Sequence, residues 1–344
     1  MSRPRIRRVR AALAGVGLSA ALLAGCSAQL PQPEPDAVAE TPPPALDEDR
    51  LARVLEDVQA TVAEADEARD PELLKPRVGG PALDMRAAEY KLADATDGKS
   101  APDALTTAPQ VAAVPATEGF PRPVVVISQV PEGANLPLLL VLEQSDARDQ
   151  YRLWGWVTLF PGIETPAMSH PDAGSAVVPA DADNLVVPPS DVVARYVDTL
   201  NKGDSEYADQ FADDPYKKSR AESTAELDKA IEAAGEAKVS AEPGNDGPLS
   251  LATADGGAIV VGELRSNLTL RKTVPGSELR AGGTLGALLG SNTEVLGTVT
   301  GASDVLMAFY VPPSDADDKT IRPLGATTVL MEVTRDDAAA PAEG

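Results

Sequence analysis

The sequence predicts an α+β fold of two successive cone-like domains, each with N-terminal helices followed by a curved antiparallel sheet. Three observations predict it. Apolar residues recur at helical spacing just after Asp47 and again just after Ser190. Each helical stretch then gives way to short runs of β-branched, aliphatic and aromatic residues parted by Pro, Gly and Asp. Helices first and strands after them, instead of strict alternation, indicate α+β and not a parallel-sheet protein.

The first predicted helix opens at Asp47, a residue type suited to an N-cap, and carries the stripe Leu51, Val54, Leu55, Val58 and Val62. Asp70-Pro71 and Gly80-Pro81 read as starts of further helical pieces, because proline fits the first turn of a helix. Three strands follow, at 124–130, 136–144 and 150–160. Residues 161–188, rich in Pro, Ala and Asp, read as a linker.

The second half repeats the plan. Ser190 is predicted to cap a helix with Val193, Val197 and Leu200 inward, and Gly203 to end it. A short helix over 205–211 and a longer one from Asp214-Pro215 to about 235 come next. Strands are expected at 249–253, 258–272, 293–300, 305–311 and 327–334; in the fourth of these Val305, Met307, Phe309 and Val311 share a face. Leu51-Ala52-Arg53 matches Val193-Ala194-Arg195, and Asp70-Pro71 matches Asp214-Pro215, at nearly constant offset, which suggests an internal duplication. The expected division is therefore 47–160 and 189–336 for the two domains, with a disordered tail over 337–344.

Ahead of these lie two segments of another kind. Arg3, Arg5, Arg7, Arg8 and Arg10 precede an uncharged stretch from Ala11 to Leu23, a basic region followed by an apolar one, as in a secretory signal. At about 1.5 Å of rise per residue that stretch is too short for a bilayer core of roughly 30 Å. It ends in Leu23-Ala24-Gly25-Cys26, which resembles the lipobox of bacterial lipoprotein precursors. The resemblance implies a signal peptide over 1–25, cleavage before Cys26 and a lipid on its thiol; an ordinary cleavage site after Ala28 is the alternative. Residues 26–46, with Pro31, Pro33, Pro35, Pro42, Pro43 and Pro44, read as an extended tether.

Composition narrows the function classes. The 344-residue chain has a formal charge of -23, with 53 acids against 30 bases, and loss of the five signal arginines would make it more negative still. Such a surface repels phosphate backbones and anionic head groups, so no nucleic-acid partner is expected, and the lipid alone must hold the membrane. Cys26 is the only cysteine, which leaves no intramolecular disulfide and no cysteine-ligated zinc. The element order is similar to a tandem of nuclear-transport-factor-like (cystatin-like) domains, in which a curved sheet wraps a helix and leaves a pocket. The whole chain also resembles actinobacterial lipoproteins of unassigned function, some of which carry a glycosyltransferase label. Neither resemblance implies catalytic residues.

No catalytic constellation is legible. His170 is the sole histidine and lies within the predicted linker, and the sequence contains no Gly-x-Ser-x-Gly elbow. Asp181-Ala182-Asp183 and Asp315-Ala316-Asp317-Asp318 have an Asp-x-Asp form, but neither continues as a calcium loop, since Leu185 and Lys319 hold the fifth positions. Gly282, Gly283, Gly286 and Gly290 lack the Lys-Ser or Lys-Thr of a phosphate cradle and read as a flexible hairpin. Asn267-Leu268-Thr269 reads as a strand face. Trp154-Gly155-Trp156 is the most suggestive feature: residues two apart on a strand share a face, so the indoles either fill the core or form a stacking surface for a ligand. The expected function is a lipid-anchored, extracytoplasmic binding or scaffolding module, its partner an envelope protein or small ligand, with no cofactor or metal. A cell-wall glycan enzyme with paired carboxylates and a transporter's solute-binding lipoprotein are the alternatives.

Overall fold

A computed structural model describes residues 42–342. Cys26, the signal segment and most of the Pro-rich tether lie outside those residues.

The N-terminal part is helical. α1 (Glu48–Ala68) starts where Asp47 accepts a hydrogen bond from Arg50 N at 2.8 Å, and it buries Leu51, Leu55, Val58, Val62 and Ala65. Asp70-Pro71 opens only a 3-10 turn, Pro71–Leu74, before α2 (Gly80–Ala95). The first antiparallel sheet follows, with β1 (Pro109–Ala113), β2 (Arg122–Ser128), β3 (Leu138–Gln144) and β4 (Arg152–Thr158) hydrogen-bonded in chain order.

Then come α3 (Pro189–Asn201) and α4 (Pro215–Ile231), the latter capped by Asp214, which accepts from Lys217 N at 2.9 Å. The second antiparallel sheet comprises β5 (Gly235–Pro243), β6 (Leu249–Ala252), β7 (Ala258–Lys272), β8 (Thr298–Val311) and β9 (Arg322–Asp336). Its order is β5-β7-β8-β9, with β6 continuing the β5 side of β7.

Several elements differ from the sequence expectation. Residues 282–290 are not a hairpin: Gly283–Leu289 form a short helix, α5. The two strands expected at 293–300 and 305–311 are one, β8, which passes its polar middle with a register shift at Ala302/Ser303. Pro188, not Ser190, occupies the N-cap of α3. The paired Asp-Pro dipeptides open unlike elements, a single turn at 71 and a long helix at 215, so that part of the duplication pattern has no structural counterpart. The presumed linker runs along the fold and forms bridges Pro115↔Ser175, Val177↔Leu251 and Leu185↔Pro313. At the two ends, Pro44 pairs with Ala116, and Asp337–Ala339 form a 3-10 turn.

Packing joins the two sheets. One core cluster takes Leu55, Val58, Leu140 and Trp156 from the first half together with Ile259, Val261, Leu306 and Ala308 from the second. Alternation along β7 and β8 sends the intervening residues, among them Val260, Val305, Met307 and Phe309, into a second cluster beneath α3. There Tyr196, Phe211 and Phe309 stack edge to face, with centroids 5.2–6.2 Å apart. Both faces of the second sheet are thus covered. Gly155 marks a close approach of the sheets, since a Cβ there would lie 2.8 Å from Leu306 Cδ1. A backbone bridge, Leu159↔Gly325, and a 2.9 Å bond from Phe160 N to Leu324 O tie the end of β4 to β9. All described residues belong to one compact unit.

Candidate functional site

Trp154 and Trp156, predicted as a core pair or a stacking surface, are 5% and 2% exposed. Both indoles are thus largely covered, and Trp156 keeps a small part of its ring on the wall of a cleft. Val141 pairs with Gly155 and Leu142 with Leu153, so Trp154 is the extra residue of a bulge, and both indoles lie against α2. Trp154 fills the space over Gly80, whose φ of +55° suits glycine and where a Cβ would sit 2.6 Å from Trp154 Cδ1. Trp156 instead lies 5.9 Å from the Arg86 guanidinium.

Arg86 anchors a buried ionic cluster. Its Nε donates to Asp66 Oδ1 at 2.8 Å, and its Nη1 donates to Glu89 Oε2 and to the carbonyl of Asp103, both at 2.8 Å. Tyr90 Oη donates to Asp66 Oδ1 at 2.6 Å. Burial by itself would lower the Arg86 pKa, but the bonds to Asp66 and Glu89 outweigh it and the guanidinium stays charged. Burial pushes the Glu89 carboxyl up to about 7, against the pull of Arg86. A cleft of about 350 Å³ opens beside this cluster, with Trp156 and Leu138 as its floor and the exposed Asp103 and Asn135 on its rim. Because the floor is closed, the cluster holds α2 to β4 and to the strap at Asp103 and presents little to a ligand.

A smaller cleft, about 200 Å³, gathers Glu242, Glu263, Asp304 and Arg265. Burial raises the Glu263 pKa and neighbouring Asp304 adds to the rise, while Arg265 Nε donates to Asp304 Oδ1 at 3.0 Å. Glu263 Oε2 is occupied in turn by the amides of Asn245 and Asp246, at 3.1 and 3.3 Å, and so pins the loop after β5. His170 Nδ1 lies 3.4 Å from Asp172 Oδ2 on an exposed turn. Asp318 Oδ1 accepts from Thr320 N at 2.9 Å and organises its own turn. Among the described residues no three His, Cys, Asp or Glu side chains come together as a metal site.

A larger concave surface is one the sequence pattern did not single out. The exposed side of α1 faces the run from Thr106 through β1. Thr107 is fastened to the helix, its Oγ1 donating to Leu55 O and its N to Gln59 Oε1, each at 2.8 Å. On either side of that fastening lies a groove, of about 570 Å³ toward Ala63 and about 340 Å³ toward Asp47. Its helix wall alternates Ala52, Leu55, Ala60 and Ala63 with the polar Glu48, Glu56 and Gln59, and Ala112 and the buried Val114 stand on the opposite strand run. Alanines at 52, 60 and 63 on an exposed helix face, where charge is usual, were the sequence signal.

Residues 42–333 match the family model described as Domain of unknown function (DUF8094). An "Uncharacterized lipoprotein" of Streptomyces coelicolor, an actinobacterium, is 25% identical over 211 residues, 61% of this chain. The match spans 63% of that relative's length. No solved structure matches. Among the described residues no helix is long and apolar enough to cross a membrane.

Proposed function

The chain belongs to the DUF8094 family, and from that premise we propose that it is a lipid-anchored, extracytoplasmic docking protein that receives its partner on the groove between α1 and β1. The groove carries the reading. Among the described residues a helix face and a strand face leave a concave, alanine-rich surface open, and binding sites on proteins are characteristically concave and largely apolar with a few polar groups. Anchoring rests on Leu23-Ala24-Gly25-Cys26 and on the lipoprotein name of the Streptomyces relative. Diacylglycerol on Cys26 would supply two acyl chains, enough for stable attachment. Helices ahead of an antiparallel sheet in each half support the nuclear-transport-factor-like resemblance, which is part of the same proposal.

A photo-crosslinking residue at Ala60, with a control at Lys218 on α4, tests the docking role in native membranes. Adducts are expected at Ala60 alone, and Ala52→Trp, which fills the groove, should remove them. Adducts that survive Ala52→Trp would sink the reading. Cys26→Ser should release the protein from membranes or stall it as precursor.

A second reading, a glycan-acting enzyme, is favoured by one observation: Glu263 and Asp304 are neighbours whose surroundings differ, one raised by burial and the other paired with Arg265. The loop-pinning bonds of Glu263 argue for structure instead. Hydrolysis of cell-wall glycan by the purified protein, lost in Glu263→Gln, would establish the enzyme.

A further inference from the structure

Apolar volume alone does not say what occupies the groove, but the backbone beside it is specific. β1 forms one ladder, with β2, and between Gln110 and Ala113 its other edge meets no hydrogen-bonding partner among the described residues. Just downstream the same run is paired on both sides. Val114 O accepts from Ser175 N and Ala116 N donates to Ser175 O, each at 2.8 Å, while Ala45 N donates to Pro115 O at 2.8 Å. Extended segments from elsewhere in the chain therefore already add to this run where they reach it.

The opposite extreme is β5, an edge strand that helices close. Asn201, ending α3, accepts from Ala241 N at 2.8 Å and donates to Ala241 O at 2.7 Å, as a neighbouring strand would, and Asp228 of α4 accepts from Ala237 N at 2.8 Å. Open edges invite unwanted pairing, and closure by side chains is one way folds prevent it. β1 has the groove in place of such closure.

We propose that the groove receives an extended basic segment of a partner protein, which adds to the free edge of β1 as a further strand. Alternate apolar side chains then enter the groove under α1, and the intervening ones face outward. The sign of charge follows from the rim. Asp47, Glu48 and Glu56 line the groove with no lysine or arginine, and Arg50 sits 3.3 Å from Asp47, so Glu48 and Glu56 present the charge to a partner. With a formal charge of -23, a second copy of the chain and an anionic bilayer both meet repulsion. The inference rests on the docking role proposed above and adds the mode of binding and the chemistry of the partner.

The probe is an acetylated alternating lysine–valine octapeptide, titrated by fluorescence anisotropy against the full chain. All valine N–H groups of a strand point to one edge and all lysine N–H groups to the other. Two N-methylated analogues, one blocked at every valine and one at every lysine, therefore remove donors from opposite edges. Strand addition predicts that one analogue loses at least about tenfold in affinity while the other binds like the parent, since several main-chain hydrogen bonds are at stake. A glutamate–valine peptide should not bind, and Ala52→Trp should abolish binding of the parent. If both analogues bind equally well while Ala52→Trp abolishes binding, strand addition is wrong and the docking groove stands. If Ala52→Trp changes nothing, the groove itself is wrong. Equal binding of the glutamate peptide, or groove-dependent binding of phosphatidylglycerol vesicles, would overturn the basic-peptide assignment.

Discussion

The β5 and β6 edge of the second sheet and the β1 edge of the first are treated in opposite ways. On the second sheet, β5 is closed by Asn201 and Asp228, and β6 by residues 176–178, where Ala252 N donates to Ala176 O at 2.9 Å. Its two faces are filled, one by the first sheet and one by α3 with the aromatic trio of Tyr196, Phe211 and Phe309. On the first sheet, β1 keeps an edge that is open among the described residues, beside the groove, and the helix nearest that sheet's far strand carries a buried ionic cluster beside its apolar contacts. Stability alone does not favour such a cluster, because desolvation of the charges offsets most of their attraction. The difference teaches a division of labour: the second sheet is built as a platform, and the first holds the features that a platform does not need.

That contrast breaks most decisively if the halves are energetically independent. Leu306, fully buried on β8, packs against Gly155 of β4, and Leu306→Ala should cost about 2–5 kcal/mol. Because the core is shared, hydrogen exchange in β3 and β4 should accelerate along with that in β7 and β8. Calorimetry should give one transition, and proteolysis within 161–188 should not leave two stable fragments. Loss of protection confined to the second sheet, or two resistant fragments, would restore a pair of separable domains.

A smaller effect sharpens the comparison through pH. Glu89 has its pKa raised from 4.5 to about 7 by burial, so between those values the native state holds a proton that the unfolded chain has released. Stability therefore falls as pH rises through that window, by up to about 3 kcal/mol, and levels off above it. Glu89→Gln should flatten this part of the profile. A slope between pH 5 and 7 that is the same in both proteins would mean that the cluster does not titrate as a unit of the first sheet.

How much of this was legible in the chain depended on where apolar side chains fall. β7 and α1 announce themselves, one by an unbroken β-branched run with the Asp255-Gly256 turn before it and the other by its Asp47 cap and regular stripe. β5 does not, because its inward residues are Ala237 and Ala241, and Glu236, Lys238 and Glu242 dominate its composition; tertiary pairing with β7 overrides a weak local preference. β1 is short, begins with proline and is mostly exposed, so nothing in its composition marks a strand. The setting of the indole pair was only partly legible, because the bulge at Trp154 is set by long-range register with β3, which the strand's own sequence does not record. The groove eluded a search for chemical groups because it is made of alanine and backbone, neither of which forms a motif.

The finest test concerns the closed edge itself. Asn201→Ala removes both hydrogen bonds to Ala241 and should cost about 1–2 kcal/mol, less than the core variant because the site is at the surface and water replaces part of what is lost. The informative result is what β5 does next. If an open edge were sufficient for strand addition, this variant would acquire a second site for the lysine–valine peptide. If the apolar groove is also required, stoichiometry should stay as it is, because β5 lies against α3 and α4 with polar residues such as Glu236 and Lys238 along it and no apolar trough to receive the peptide's valines. We expect unchanged stoichiometry with a modest rise in self-association at high ionic strength, where the repulsion of a strongly acidic chain is screened. A second peptide site in Asn201→Ala would show that edge exposure alone sets the difference between the sheets, and that the groove beside β1 adds volume without selectivity.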